Sequence, residues 1–175
     1  MRLLVLFLII ILASCNNPLE NDDTGQGSPN ESEDTETQSQ EDSSNEQDLD
    51  KLSQQLELMS YVFLDVDAIL TENFDYEMDE EDLDNLEEGL NKLDETRELY
   101  LQIDVYNEIE DAVDIYMNGL HLIDVTREIF TNKIHYLESG NLDSYENSTE
   151  SLGEYQSLVK EVTDEMIRLN KTYLE

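Results

Sequence analysis

The side chains able to do chemistry in this chain are 44 acids, two histidines, one cysteine and nine tyrosines, and spacing decides what each can do. A di-iron carboxylate site on helices needs Glu-x-x-His, which brings a carboxylate and an imidazole onto one helix face. Three residues before His121 and His135 stand Asn118 and Asn132, so the motif is missing and both histidines read as surface or boundary residues. The zinc pattern His-Glu-x-x-His is missing too. Nine acids and no base between Asp75 and Glu88 invite a calcium loop, but an EF-hand needs glycine at its sixth position and glutamate at its twelfth. Counted from Asp75 the sixth residue is Glu80, and from Asp79 it is Asp84. The segment therefore reads as an acidic helix start with a solvated face, able at most to gather Mg²⁺ or Ca²⁺ loosely. No Gly-x-Ser-x-Gly elbow occurs, and Gly25 and Gly27 have no strand before them or helix after them. The expectation is no catalytic group, no cofactor site and no metal site, hence a protein that is not an enzyme.

Cys15 is the residue whose position carries a specific chemistry. It closes the segment MRLLVLFLIIILASC, in which Arg2 is followed by an apolar run over residues 3–12 and then by small residues. Ten apolar residues are about half of a spanning helix but suit the hydrophobic region of an export signal. The tetrapeptide Leu12-Ala13-Ser14-Cys15 resembles, position by position, the lipobox of bacterial membrane lipoproteins. That resemblance implies a diacylglyceryl thioether on Cys15, cleavage between Ser14 and Cys15, and a mature chain that starts at Cys15. Each buried CH₂ contributes about 0.8 kcal/mol and one acyl chain is marginal, so two chains give stable attachment. The expected location is the extracytoplasmic face of the cell membrane, lipid-anchored and not spanning. With its sole cysteine lipidated, the chain has no disulfide to support its fold.

Residues 16–48 contain eleven acids, no base and one aliphatic residue, Leu19. Such a stretch cannot bury enough apolar surface to offset the entropy of ordering. Together with the lipidated cysteine, residues 15–48 are expected to form a disordered acidic tether, about 30 Å in root-mean-square span. Acidic, Ser-rich tethers directly after a lipidated cysteine are similar to those of lipoproteins from Gram-positive bacteria.

Residues 49–175 carry the periodic apolar pattern that must supply a folded domain. Leu49, Leu52, Leu56, Met59, Phe63, Val66 and Leu70 alternate by three and four, the spacing of one helical stripe. Asp79 can cap a second helix, with Glu80, Glu81 and Asp82 at the positive end of its dipole. Its stripe is Leu83, Leu86, Leu90, Leu93, Arg97 and Tyr100. A third stripe runs Ile109, Val113, Tyr116, Leu120, Ile123, Arg127, Phe130, Ile134, Leu137 and stops at Ser139-Gly140. The fourth runs Tyr145, Ser148, Leu152, Tyr155, Val159, Val162, Met166, Leu169, Tyr173, with Asn141 or Asp143 as cap. Between the second and third stripes, over 102–104, there is neither Gly nor Pro, so two helices or one long kinked helix are both open.

Each helix has one apolar stripe that it must bury against the others, and short connections favour antiparallel neighbours. The predicted fold is all-α, an up-down four-helix bundle with coiled-coil-like packing. The alternative is a three-helix bundle with the second helix peripheral. The tyrosines on the stripes, Tyr100, Tyr116, Tyr145, Tyr155 and Tyr173, read as boundary core residues with the hydroxyl at the rim. Arg97 and Arg127 occupy stripe positions. With the first turn centred near residue 77 and the third near 140–141, they are expected to face Glu57 and Glu154 across helix interfaces.

Nine Lys and Arg against 44 acids give a net charge of −35 and a pI near 4.1. Nucleic acid is excluded as a partner, because phosphate recognition needs a basic face. Two function classes follow. One is a non-enzymatic helical binding or scaffold module at the cell envelope, anchored to the membrane through Cys15 and meeting an envelope protein or basic partner. The other is an envelope binder of cations or cationic peptides.

Overall fold

The computed structural model describes residues 38–75 and 77–175, with side chains from residue 49 onward. The signal segment 1–14, the lipidation residue Cys15 and tether residues 16–37 lie outside the described residues. All regular structure among the described residues is helical. It comprises helices α1 (Gln38–Asn73), α2 (Leu83–Tyr100), α3 (Glu110–Ser139) and α4 (Leu142–Leu169), with a 3-10 turn at Glu80–Asp82 and a π turn at Asn170–Leu174.

Helix α1 begins eleven residues before Leu49, inside the segment expected as tether. These residues carry four acids and no base, and Glu41 and Asp42 stand near the positive end of the helix dipole. At the other end the α1 stripe is buried as its spacing requires, from Leu52 through Leu70.

The connections show local and remote signals at work. Asp79 accepts from the Glu81 amide at 2.9 Å, and Asp82 accepts from the Asp79 amide at 3.1 Å, a capping box that starts the 3-10 turn leading into α2. Gly140, at φ +69°, ends α3 in the left-handed conformation that glycine tolerates, and the Asn141 side chain accepts from the Asp143 amide to start α4. Residues 101–109 separate α2 from α3, which settles the open boundary as two helices. At the break the Gln102 side chain donates to the Glu98 carbonyl, and a side chain from α1 then holds the connection. Gln55, 1% exposed, accepts from the Tyr106 amide at 2.8 Å and donates to the Ala112 carbonyl at 2.7 Å.

Cross-helix contacts give the directions. Arg97 pairs with Asp124 and Arg127 with Asp94, so α2 and α3 run oppositely. Ser148 donates to the Ile129 carbonyl and Arg168 meets Asp111, so α3 and α4 do too. Between α1 and α2, Gly89 lies against Asn73, and the Phe63 and Tyr100 rings sit 5.9 Å apart, again antiparallel. Leu86, Leu93 and Tyr100 of α2 have no exposed surface, so the second helix is a full member of the core and not peripheral.

Helix α3 departs from its expected stripe. Ala112, Ile115, Gly119, Leu122, Thr126, Ile129 and Lys133 are all buried, whereas Val113, Tyr116, Leu120, Arg127, Ile134 and Leu137 are half-buried. Of the expected set only Ile123 and Phe130 are buried. The physical reason is centrality: α3 packs against α1, α2 and α4, so it buries two adjoining stripes. Gly119, Thr126 and Lys133 hide the second stripe from any hydropathy count.

Candidate functional site

Two poles of the structure hold the groups with unusual environments. One pole collects the start of α2, the end of α3 and the α1–α2 connection 74–82. Asp75 accepts from the Glu77 amide at 3.2 Å, and a shallow, open depression of about 320 Å³ lies among Asn73, Phe74, Asp75, Met78 and Asp82. Phe74 packs on Phe130 with ring centroids 5.9 Å apart. One turn further along α3, the Lys133 side chain is 2% exposed. Its ammonium stands 5.8 Å from the Tyr136 ring centre and 5.7 Å from that of Tyr145, within cation–π range. Burial pushes the Lys133 pKa down, while the carboxylates of Asp75 and Asp82 pull it back up, and burial prevails. Tyr145, expected as a boundary core residue with its hydroxyl at the rim, is 39% exposed and stands beside this lysine from α4.

In the middle of the molecule the aromatic residues form a satisfied cluster. The Tyr100 hydroxyl donates to the Tyr116 carbonyl at 2.9 Å, and their rings stack 4.8 Å apart. Gly119 lets Tyr100 and Phe63 approach the α3 backbone, since a Cβ there would overlap both rings. The Tyr155 hydroxyl of α4 donates to Asp67 of α1 at 3.0 Å. Burial raises the pKa of both phenols, reinforced by Tyr116 at Tyr100 and by Asp67 at Tyr155. The α2–α3 pole, around 101–109, is held by Gln55 as described. Tyr173, the last of the stripe tyrosines, sits at the rim with 36% exposure.

The sequence-selected residues are scattered rather than gathered. His121 meets Glu154 at 3.0 Å on the surface, and His135 is exposed on the same helix. Among the described residues no three His, Cys, Asp or Glu side chains converge as a metal ligand set would. Arg97 and Arg127 do reach carboxylates on another helix, but those of Asp124 at 2.7 Å and Asp94 at 2.5 Å, not Glu57 and Glu154. Both arginines lie on the α2–α3 seam, whereas the expectation sets them across the α1–α2 and α3–α4 turns. The contacts of Gly89 with Asn73 also centre the α1–α2 connection near residue 81 instead of 77, which changes the facing residues. Glu154 is taken by His121, and Glu57 accepts from Tyr61 on its own helix.

Sequence reasoning does not find Gln55, Asp67 or Lys133. Lys133 has a usable signal: it falls on the run Ala112, Ile115, Gly119, Leu122, Thr126, Ile129, Lys133, which keeps the three-four alternation. No helix among the described residues is long and apolar enough to cross a membrane. No family model matches the chain, nor does any curated protein or solved structure.

Proposed function

We propose that this chain is a membrane-anchored extracytoplasmic lipoprotein whose helical part is a non-enzymatic binding or scaffold module at the cell envelope. The helices form an up-down bundle of coiled-coil-like packing, held off the membrane by the lipid on Cys15 and a tether that covers residues 16–37. The observation that carries the reading is the disposition of charge. Residues 49–175 hold 33 acids and eight bases. Arg97, Arg127, Arg168 and Lys92 are engaged by carboxylates, and Lys133 is buried. The surface is therefore a polyanion that attracts basic partners and is repelled by anionic lipids and polymers. Helix α1 is 36 residues long, about 54 Å at 1.5 Å per residue, so the acidic connection 74–82 stands at the end remote from the chain's entry.

The second reading, an envelope binder of cations or cationic peptides, is favoured by the nine acids concentrated between Asp75 and Glu88. Two measurements test the pair. Cys15→Ser is expected to leave the protein uncleaved or to release it from membranes; a variant still processed and membrane-bound would overturn the anchor. Binding of an oligolysine peptide to the full chain is expected to weaken steeply as salt is raised to about 0.5 M, where charges are screened beyond a few ångströms. A salt-insensitive interaction would point away from the polyanionic surface.

A further inference from the structure

We propose that the exposed apolar strip at the 101–109 end of the α2–α3 seam is a docking site for a basic amphipathic helix of a partner protein. The inference rests on the reading of this chain as a binding module for basic partners, and names where such a partner sits. The ion pairs of the seam supply the register. Arg97 reaches Asp124 at 2.7 Å. Leu101 follows Arg97 by four residues and keeps the right-handed helical conformation, while Leu120 precedes Asp124 by four. Because the two helices are antiparallel, the next turn of the seam sets Leu101 towards Leu120, with Met117 and then Val113 continuing the line along α3. Leu101 is 42% and Met117 54% exposed, and Val113 and Leu120 are half-buried. Charge pairs thus fill the middle of the seam, and apolar side chains finish it in contact with water. Beneath them Tyr100, with no exposed surface, stacks on Tyr116 and donates to its carbonyl, and Gly119 admits the Tyr100 ring against α3. The spacing of the two helices is therefore set before a partner arrives, which lowers the cost of ordering the site.

Charge selects the occupant. Residues 98–126 contain seven acids and neither Lys nor Arg. Glu98 stands three residues before Leu101, and Glu110 and Asp114 stand seven and three before Met117, so exposed carboxylates share the strip's side of each helix. Of the bases at this end, Arg97 holds Asp124, Arg168 holds Asp111, and Lys51 lines a depression with residues 104–108. An apolar strip with an acidic rim fits a helix that presents apolar residues at three-four spacing with Lys or Arg beside them. Val113 to Leu120 covers about 10 Å along α3, so two to three turns of the partner suffice. Met117 suits the centre of such a face, since its unbranched, polarisable side chain adapts to the surface laid on it. Other occupants meet the rim with the wrong sign. A second copy brings the same acids, and residues 16–37 hold seven acids, no base and one aliphatic residue.

Binding of a peptide probe to the full chain tests the site. The probe is a helix of about 18 residues, five turns, with leucines at three-four spacing on one face, lysines elsewhere and one tryptophan among the leucines. The chain itself has no tryptophan, so the emission reports on the probe alone. An oligolysine of equal charge with a terminal tryptophan is the reference. The helical probe is expected to bind about tenfold more tightly than the reference, with its emission shifted to the blue, and to keep part of its binding at about 0.5 M salt. Leu101→Ser combined with Met117→Ser changes no charge. It is expected to abolish the tenfold advantage and the blue shift while oligolysine binding stays as it was. Should the double variant lose its helical circular dichroism, Met117→Ser alone is read, with a loss of about threefold expected. A variant that binds the helical probe as the native chain does, or a helical probe no tighter than oligolysine, overturns the site and leaves the polyanionic reading in place. Oligolysine that fails to bind while the helical probe binds through the strip overturns the polyanionic reading and leaves the site. A concentration-dependent dimer that Met117→Ser dissolves would give the strip to a second copy and overturn the basic partner.

Discussion

The two poles of the molecule solve one problem in opposite ways. Connections 74–82 and 101–109 are both nine residues long, and each lies against a buried polar side chain from a helix that it does not join. At the α2–α3 pole that side chain is Gln55, neutral, with its oxygen and its nitrogen each bonded to backbone. At the α1–α2 pole it is Lys133, charged, beneath carboxylates and between tyrosine rings. A neutral amide with both ends satisfied pins a loop, because releasing it strands a donor and an acceptor. A buried ammonium sets opposing terms against each other, because its charge loses water while the carboxylates and rings around it attract it.

The largest expected effect breaks the neutral pin. Gln55→Leu fills similar space but removes the oxygen that accepts from the Tyr106 amide, while the Ala112 carbonyl keeps its place in the α3 hydrogen-bond ladder. With one buried amide losing its acceptor, the loss is about 1–3 kcal/mol. A fall of that size in the unfolding free energy from urea titration, with exchange quickening first across 101–109, is the expected result. Exchange that quickens first elsewhere would break the contrast by showing that Gln55 does not secure 101–109.

The same contrast explains which features are legible in the amino-acid sequence alone. The α1 stripe from Leu52 to Leu70, the Asp79 cap and the Gly140 stop are local signals, in which spacing or backbone preference acts within a few residues, whereas Leu49 is exposed and α1 starts before it. The break after Tyr100 carries neither Gly nor Pro, and the connection that follows is held by Gln55, 51 residues before Tyr106. The buried face of α3 escapes for a related reason. A helix with neighbours on three sides buries residues chosen for fit, such as Gly119 beneath Tyr100, as well as residues chosen for hydropathy. The site residues follow that division: Arg97 and Arg127 are recognisable as out of place on their stripes, but their partners depend on a register that spacing alone sets only to within a turn.

A smaller effect tests whether the centre of the molecule is as neutral as the Gln55 pole. Tyr100 and Tyr155 hold their protons above the ordinary phenol value because burial disfavours the phenolate. An acid whose folded pKa is raised releases its proton first from the unfolded chain, so stability is full below pH 10 and declines as pH climbs past it. The expected observation is a drop in the urea midpoint between pH 9 and pH 11 that is smaller in Tyr100→Phe. At neutral pH that variant should lose only about 1 kcal/mol, the net worth of the bond to the Tyr116 carbonyl. A midpoint insensitive to pH in both proteins would mean that the phenols reach water.

The smallest effect concerns the charges that join the poles along the α2–α3 seam. Arg127 reaches Asp94 across the seam and lies 4.0 Å from Asp124, which itself holds Arg97, so four charges form one network. All four are at least 30% exposed, and exposed pairs contribute about 0.2–1 kcal/mol each. Coupling identifies such a network better than its size does. Arg127→Ala and Asp94→Ala are expected to be non-additive in a double-mutant cycle, with the coupling shrinking as salt rises. Arg127→Ala combined with Glu154→Ala should be additive, because Glu154 faces His121. Coupling of Arg127 to Glu154 instead of Asp94 would place α3 in a different register from the one that buries Lys133, and with it would go the distinction between the charged pole and the neutral one.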